Sequence, residues 1–261
     1  MLALIAAAIF APLLAPHDPN FQNVMVRFAG PGGDYLFGTD EYGRDVLSRL
    51  IFGARVSLKA GILAAAVAIV LGAPLGLLAG LGSRRVDRGL ALVFDAIMSV
   101  PGIVFALAVI TALGPGLTNA MLAIGFISSP RFFRLARASS TELKHETFIE
   151  ATRSLGATKG RVLLRHVLPN VVPPLAIQVS FVVGSSILAE AALGFLGLGV
   201  TFPTASWGSM LNSAGKRMDV SHLIYPPTVA LTLTVLAFSA VGDGWRDAIG
   251  LDRREVSHDA S

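Results

Sequence analysis

Long apolar runs are the feature that most restricts what this chain can fold into. Four runs are long enough to cross a bilayer, because about 20 apolar residues in a helix span roughly 30 Å of hydrocarbon. They are residues 58–81, 90–113, 175–196 and 223–241, and two shorter runs cover residues 1–14 and 117–127. None alternates apolar and polar residues as barrel strands do. The sequence therefore predicts an all-α, polytopic membrane protein with about six transmembrane helices.

The composition supports this class. Of the 261 residues, 53% are hydrophobic and only 15% are charged, whereas soluble chains carry about 25% charged residues. The formal charge of +4 does not indicate nucleic-acid binding, because the basic residues fall between the apolar runs and do not gather on one polar folded face.

The positions of the basic residues predict an orientation. If six helices cross with the N-terminus inside, the inner segments are residues 83–89, 128–170 and 243–261, which carry three, eight and three of the 21 Lys and Arg residues. Inner loops of membrane proteins carry an excess of these residues. We therefore expect both termini on the cytoplasmic side.

The first run is short for a crossing, since 14 helical residues rise only about 21 Å. We expect either a short helix or a natural start further upstream; a signal peptide is the alternative, but no basic residues precede the run. The predicted first transmembrane helix (1–14) is followed by an outer segment (15–57), which contains an interfacial helix from Arg44 to Phe52. A core of five transmembrane helices (58–242) includes an inner loop (139–170). A cytoplasmic tail (243–261) follows the core.

Small residues and helix breakers mark two of the runs. Gly72, Gly76 and Gly80 lie four residues apart, and such a ladder lets another helix approach closely. We predict a helix-packing face there, with a flexible, bent helix as the alternative. In the next run Pro101 and Gly102 are expected to break the helix near mid-bilayer, and broken helices at this depth line a cavity or are buried in protein.

Two acidic residues fall inside the runs, where a carboxylate is costly and marks a functional site by default. Asp95 is near the inner end of its helix, so we expect it to pair with Arg85 or Arg88. Glu190, one turn after Ser186, is expected either to face a solute pathway or to tie helices together. The candidate pathway residues are Pro101, Gly102, Ser186 and Glu190.

Enzyme signatures are incomplete in this sequence. The chain has no Cys, which excludes thiol catalysis and Cys-ligated metals. His145 and Glu146 begin an HExxH pattern, but Ile149 stands where the second His is needed. Residues 38–45 match a phosphate-binding loop in spacing alone, because they end in Arg-Asp instead of Lys followed by Ser or Thr. We predict no catalytic residue, no metal site and no cofactor in this chain.

The inner loop is predicted to fold as a helix–turn–helix elbow. Residues 147–155 favour a short helix that is ended by Gly156 in a left-handed conformation. Thr158 favours capping a second helix, which runs to Leu168 and is stopped by Pro169. A bent pair of surface helices is suited to the groove of a partner protein.

The elbow resembles the EAA loop of ABC-importer permeases. That loop reads Glu-Ala-Ala, three residues, Gly, nine residues, then Ile, any residue, Leu and Pro. Here residues 150–152 read Glu-Ala-Thr, Gly156 follows at the same spacing, and residues 166–169 read His-Val-Leu-Pro. Thr152 and His166 depart from the pattern, although His is common there in the dipeptide, oligopeptide and nickel permease subfamily. Three further blocks are similar to the C-type permease of that subfamily: residues 37–49, 187–199 and 242–247.

The resemblance implies the ABC-importer permease fold in a bacterial inner or plasma membrane. Such a permease forms half of a pathway through the lipid, and a homologous second permease forms the other half. Its other partners are two cytoplasmic subunits that bind ATP and Mg and an extracellular solute-binding protein. The elbow would act as the coupling helix in the groove of an ATPase subunit. The matching positions are Glu150, Ala151, Gly156, Ala157, Arg165, His166, Leu168 and Pro169.

The cargo implied by the resemblance is a di- or oligopeptide, with nickel or another small solute as the alternative within the family. A secondary transporter or a channel is the alternative from another class. It would be expected to contain an internal repeat and more ionisable residues along its path. A membrane scaffold is a further alternative, which the broken third helix and the elbow disfavour.

Overall fold

A computed structural model describes residues 1–144 and 146–249, with the side chains of residues 150, 151, 153 and 159 left out. Its regular elements are helices, beside a short 3-10 turn at Val24–Val26. In chain order the helices are α1 (Leu2–Ile9), α2 (Ala11–Leu14), α3 (Val46–Leu81), α4 (Arg84–Met98), α5 (Gly102–Leu113), α6 (Leu117–Lys144), α7 (Thr147–Ser154), α8 (Lys159–Val162), α9 (Leu168–Phe195), α10 (Trp207–Gly215) and α11 (Ser221–Ile249). The all-α prediction is confirmed.

Within the described residues, three helices are long and apolar enough to cross a membrane: α3, the continuous helix Gly160–Phe195 that contains α9, and α11. The broken pair of α4 and α5 is a fourth candidate. The crossings predicted at residues 1–14 and 117–127 do not form helices that are both long enough and apolar enough to span a membrane. Helices α1 and α2 have eight and four residues, and α6 carries Arg131, Arg134 and Arg137 in its second half.

The interfacial helix predicted from Arg44 to Phe52 is wrong as a separate element. Helix α3 begins at Val46 and continues without interruption to Leu81, so the predicted interfacial residues form its first turns. No proline stands before Pro74 in this helix, so no residue of its first turns forces a break. Of its first residues, Val46, Ser48 and Arg49 are buried in the protein.

The predicted stop at Pro169 is also wrong. Residues Leu163–Val167 form a π turn, in which the N–H of Leu168 bonds the carbonyl of Leu163, and the chain continues as α9. A proline ring clashes with the carbonyl four residues back in an α-helix, and the wider π turn removes that clash. The side-chain amide of Asn170 donates to the carbonyl of His166 at 2.7 Å.

Two compact units make up the chain. The first comprises Met1–Ala64, Ile103–Ile124 and Val183–Ser239. Its core joins α3, α5, α6 and α9 through small and aliphatic side chains, which permit close helix packing. They are Ala60, Ala64, Ala106, Ile110, Ala120, Met121, Ala123, Ile124 and Leu193.

The second unit comprises Ala65–Gly102, Gly125–Val182 and the segment from Ala240 onward. A smaller cluster of Ala79, Phe94 and Phe133 is buried in it. The rings of Phe94 and Phe133 stack with their centroids 4.0 Å apart and their planes 14° from parallel. This aromatic pair joins α4 to α6.

Candidate functional site

The inner loop forms the predicted elbow. Helix α7 ends at Ser154, and Gly156 follows with φ +84°, a conformation that a residue with a Cβ adopts only with strain. The N–H of Ala157 donates to the carbonyl of Thr152 at 3.3 Å. This is the 6→1 hydrogen bond of a Schellman turn. Thr158 caps the next helix by accepting from the N–H of Arg161 at 3.4 Å.

The elbow exposes large apolar side chains. Leu155 at its tip is 89% exposed, Leu164 is 64% exposed and Phe148 is 42% exposed. The ring of Phe148 lies 6.2 Å from that of His166, so an aromatic contact joins the two arms. Apolar side chains in such a patch indicate a contact surface for another molecule.

The other predicted elbow residues differ in how far they are exposed. Arg165 and Pro169 are exposed, whereas Ala157 and Leu168 are partly buried. The side chains of Glu150 and Ala151 lie outside the described part of the structure, although their backbone belongs to α7.

The glycine ladder faces helix α6 within the second unit. A Cβ added at Gly72 would overlap the backbone at Ser129 and lie 2.8 Å from the Cβ of Phe132. A Cβ at Gly80 would lie 2.7 Å from the carbonyl oxygen of Arg137. The absence of side chains on this face of α3 therefore sets the distance between the two helices.

Ion pairs join α4 and α6 beside this contact. Arg134 Nη2 lies 2.7 Å from Asp95 Oδ1, so the predicted pairing of Asp95 with Arg85 or Arg88 is wrong. Arg137 donates from Nε and Nη2 to the two carboxylate oxygens of Asp87, at 2.5 and 2.8 Å. Bidentate pairs of this kind add orientation as well as attraction.

The predicted break in the third run is present, because α4 ends at Met98 and α5 begins at Gly102. Pro101 is exposed and Gly102 is partly buried. These two residues belong to the second unit, whereas Ser186 and Glu190 belong to the first. The role of all four residues in a pathway stays a prediction.

Glu190 is enclosed in the interior of the first unit and is only 1% exposed. Ser57 Oγ of α3 donates to Glu190 Oε2 at 3.4 Å. Glu190 Oε1 and Ser186 Oγ are buried with no hydrogen-bond partner among the described residues. Of the two sequence-based alternatives for Glu190, this geometry favours a tie between segments.

Close backbone packing surrounds this carboxyl group. A Cβ at Gly208 of α10 would lie 2.8 Å from Ala191 Cα and 3.0 Å from Gly194 Cα of α9. Trp207 is buried and donates from Nε1 to the carbonyl of Leu50 at 3.0 Å. The N-terminus of α10 is therefore fixed against both α3 and α9.

A buried group of charges at the start of α3 was not found from the sequence. Arg44 Nε lies 2.7 Å and Arg49 Nε lies 3.4 Å from Asp40 Oδ2, and all three side chains are buried. The rings of Tyr42 and Phe202 lie 4.5 and 5.3 Å from the guanidinium of Arg44. The four-residue spacing of Asp40 and Arg44 was the available signal, but it does not reveal burial.

A second carboxylate completes this group. Asp45 Oδ2 accepts from the N–H and the hydroxyl of Ser48 at 2.9 and 2.5 Å, and His17 Nδ1 lies 3.5 Å away. Asp45 therefore caps the N-terminus of α3 and fixes the segment that follows α2.

Comparison with known proteins places these features in a family. The model for the binding-protein-dependent transport system inner membrane component matches residues 72–254. The match takes in the glycine ladder, the broken third run, the elbow and α9.

Curated relatives match almost the whole chain. The dipeptide transport system permease protein DppC of Alkalihalophilus pseudofirmus is 39% identical over 248 residues, which cover 95% of this chain and 82% of that protein. The glutathione transport system permease protein GsiD of Pectobacterium atrosepticum is 41% identical over 251 residues, covering 95% of this chain and 83% of that protein.

Solved structures share the fold. A chain of the MetNI methionine ABC transporter in an inward-facing conformation superposes with a TM-score of 0.64 at 20% identity, covering 78% of this chain and 97% of that chain. A chain of an amino acid ABC transporter crystallised with histidines gives a TM-score of 0.56 at 17% identity, covering 77% and 94%. Members of this family are transport components and not enzymes. The chain belongs to the family of binding-protein-dependent transport system inner membrane components and is a permease subunit of an ABC importer.

Proposed function

We propose that this permease forms half of the translocation pathway of a peptide importer and is driven through its elbow by ATP hydrolysis on partner subunits. Relatives named as dipeptide and glutathione permeases at about 40% identity support the cargo class. The proposed complex contains a homologous second permease, two cytoplasmic subunits that hold ATP and Mg, and an extracellular solute-binding protein.

The observation that carries the proposal is the exposed apolar surface of the elbow. Leu155 presents 89% of its surface at the tip of a turn, although burying a leucine side chain stabilises a protein by about 1.5–3 kcal/mol. A groove on an ATPase subunit would cover Leu155 together with Leu164. The excess of basic residues on the same side of the membrane supports a cytoplasmic elbow and cytoplasmic termini.

Two elbow residues have separate roles in this proposal. Gly156 allows the reversal between α7 and α8, so that both arms reach one groove. Glu150 pairs with a basic residue of the ATPase subunit, since its position matches the acidic residue of the EAA pattern.

The test is solute-stimulated ATP hydrolysis by the reconstituted complex. We expect the double variant Glu150→Lys, Gly156→Val to lose the stimulation. Gly160→Val is the matched control, because it adds the same side chain to the elbow at a glycine without a positive φ and without an atom within 4 Å of the new Cβ. Wild-type stimulation in the double variant would refute the proposed coupling.

The cargo is tested on the partner solute-binding protein. We expect it to bind di- or tetrapeptides and not Ni²⁺ in calorimetric titrations; selective binding of Ni²⁺ would assign the complex to the nickel branch. Purification of this permease without ATPase subunits, under conditions that preserve its fold, would contradict the proposed composition of the complex.

A further inference from the structure

An open cavity of about 460 Å³ lies in the first unit beside the N-terminal part of α3. Binding sites for small molecules have volumes of about 300–1,000 Å³. One helix face and two loop segments form its walls. The lining residues are Pro19, Asn20, Phe52, Arg55, Val56, Lys59, Thr204 and Ala205.

The cavity carries two positive charges that the protein itself does not neutralise. Arg55 and Lys59 are exposed and four residues apart on α3, so they share one face of the helix. Neither takes part in an ion pair among the described residues, and no acidic side chain lines the cavity. Like charges at this spacing repel each other, and concave walls of low dielectric focus their field on an anion.

The walls of the cavity are held in place by partly buried hydrogen bonds. Arg49 Nη1, on the same helix, donates to the carbonyl of Pro19 at 3.0 Å and to that of Pro203 at 3.4 Å. The N–H of His17 donates to Ser48 Oγ at 3.0 Å. Both loop segments are thus tied to the helix that carries the cations, so the site exists before a ligand arrives.

The other lining groups indicate the chemical class of the ligand. Asn20 and Thr204 offer neutral hydrogen-bonding groups, and Phe52 and Val56 offer apolar surface. This combination suits a molecule with a carboxylate, amide groups and a side chain. The volume also exceeds what a single phosphate or carboxylate group would fill.

We propose that Arg55 and Lys59 form a binding site for the terminal carboxylate of a peptide cargo. This inference rests on the peptide transport proposed above and assigns one end of the cargo to named residues. The phosphate of an anionic lipid offers a similar oxyanion, and the experiment separates the two sources.

The chain contains no Cys, so a single Lys59→Cys variant reports on the cavity within the complete transporter in phosphatidylcholine nanodiscs. Labelling of this chain by an anionic and by a cationic methanethiosulfonate reagent is followed by mass spectrometry. We expect a higher anionic-to-cationic rate ratio at position 59 than at Met25→Cys, a control position in the same unit that is 94% exposed.

Arg55→Gln in the Lys59→Cys background should lower this ratio about threefold to tenfold, because one charge at helical i,i+4 distance is removed from a partly aqueous site. Arg55→Lys keeps the charge and should keep the ratio. Protection is measured in a Thr204→Cys variant, which lines the same cavity and keeps both cations: millimolar Ala-Ala should slow its labelling, and Ala-Ala amide, which lacks the carboxylate, should not.

Three results would overturn the proposal: a ratio unchanged by Arg55→Gln, equal protection by the two dipeptides, or protection by phosphatidylglycerol in the nanodisc without protection by Ala-Ala. The last result would assign the site to a lipid headgroup. Failure of the peptide proposal itself is seen separately, as Ni²⁺ binding by the partner solute-binding protein.

Discussion

Substitution of Gly76 by Ala tests how closely α3 and α6 pack. Gly76 is the middle residue of the glycine ladder. A Cβ there would overlap the carbonyl oxygen of Phe133 and lie 2.9 Å from the Cβ of Ala136 and 3.1 Å from the N of Arg137. Two of these three atoms belong to the backbone, so the methyl group fits only if the helices move apart.

The magnitude follows from two opposing terms. Replacing Gly by Ala inside a helix stabilises it by about 0.5–1 kcal/mol, whereas forcing a methyl group into a packed contact costs about 1–3 kcal/mol. Gly89→Ala is the matched control, because it adds the same methyl to α4 with no atom within 4 Å. Both variants gain the same stabilisation from replacing Gly by Ala in a helix. The free energy of unfolding of Gly76→Ala should therefore be about 1–3 kcal/mol lower than that of Gly89→Ala.

The assay is thermal unfolding of the purified complex in detergent, followed by size-exclusion chromatography of this chain. One kcal/mol shifts Tm by about 2–4 °C in domains of similar length, so we expect Gly76→Ala to melt several degrees below Gly89→Ala. Equal melting temperatures would show that the helices yield without cost and would refute the packing argument.

Substitutions at three charged contacts give further tests. Asp40→Asn leaves two buried guanidinium groups without a carboxylate and should destabilise the protein by about 3–5 kcal/mol, measured as a loss of folded complex; wild-type melting would contradict this. Glu190→Gln should melt close to the wild type. Glu190→Leu leaves the buried Ser57 hydroxyl without its acceptor, which costs about 1–3 kcal/mol. Equal melting of the two variants would argue against the tie. Asp87→Arg should lower Tm modestly, since partly exposed pairs contribute about 0–1 kcal/mol, and Arg137→Asp in the same chain should restore it; no restoration would mean that the ion pair does not contribute.

Local features of the sequence predicted much of the fold. The break at residues 99–101 follows from Pro101, and the reversal after α7 follows from Gly156, because each depends on the backbone of one or two residues. Thr158 predicted the start of the next helix for the same reason, and the EAA spacing added the resemblance to a family. The failures at Arg44 and Pro169 arose where tertiary burial or a π turn overrode a local preference.

Contacts between distant segments were beyond such reasoning. The sequence offers Asp95 several cations within helical reach, but the structure pairs it with Arg134 on another helix. Likewise, the carbonyl of Pro203 accepts a bond from Arg49, 154 residues earlier. No spacing rule relates such positions.

The sequence alone determined that this protein consists of apolar helices and that a helix–turn–helix elbow follows the fourth apolar run. These properties depend on the hydrophobicity of runs of about 20 residues and on local backbone preferences. Only the tertiary structure decided that Glu190 is enclosed, that Asp40 neutralises two arginines, and that Arg55 and Lys59 share a cavity without a counter-charge. The physical reason is that burial and charge pairing depend on which helices meet in space.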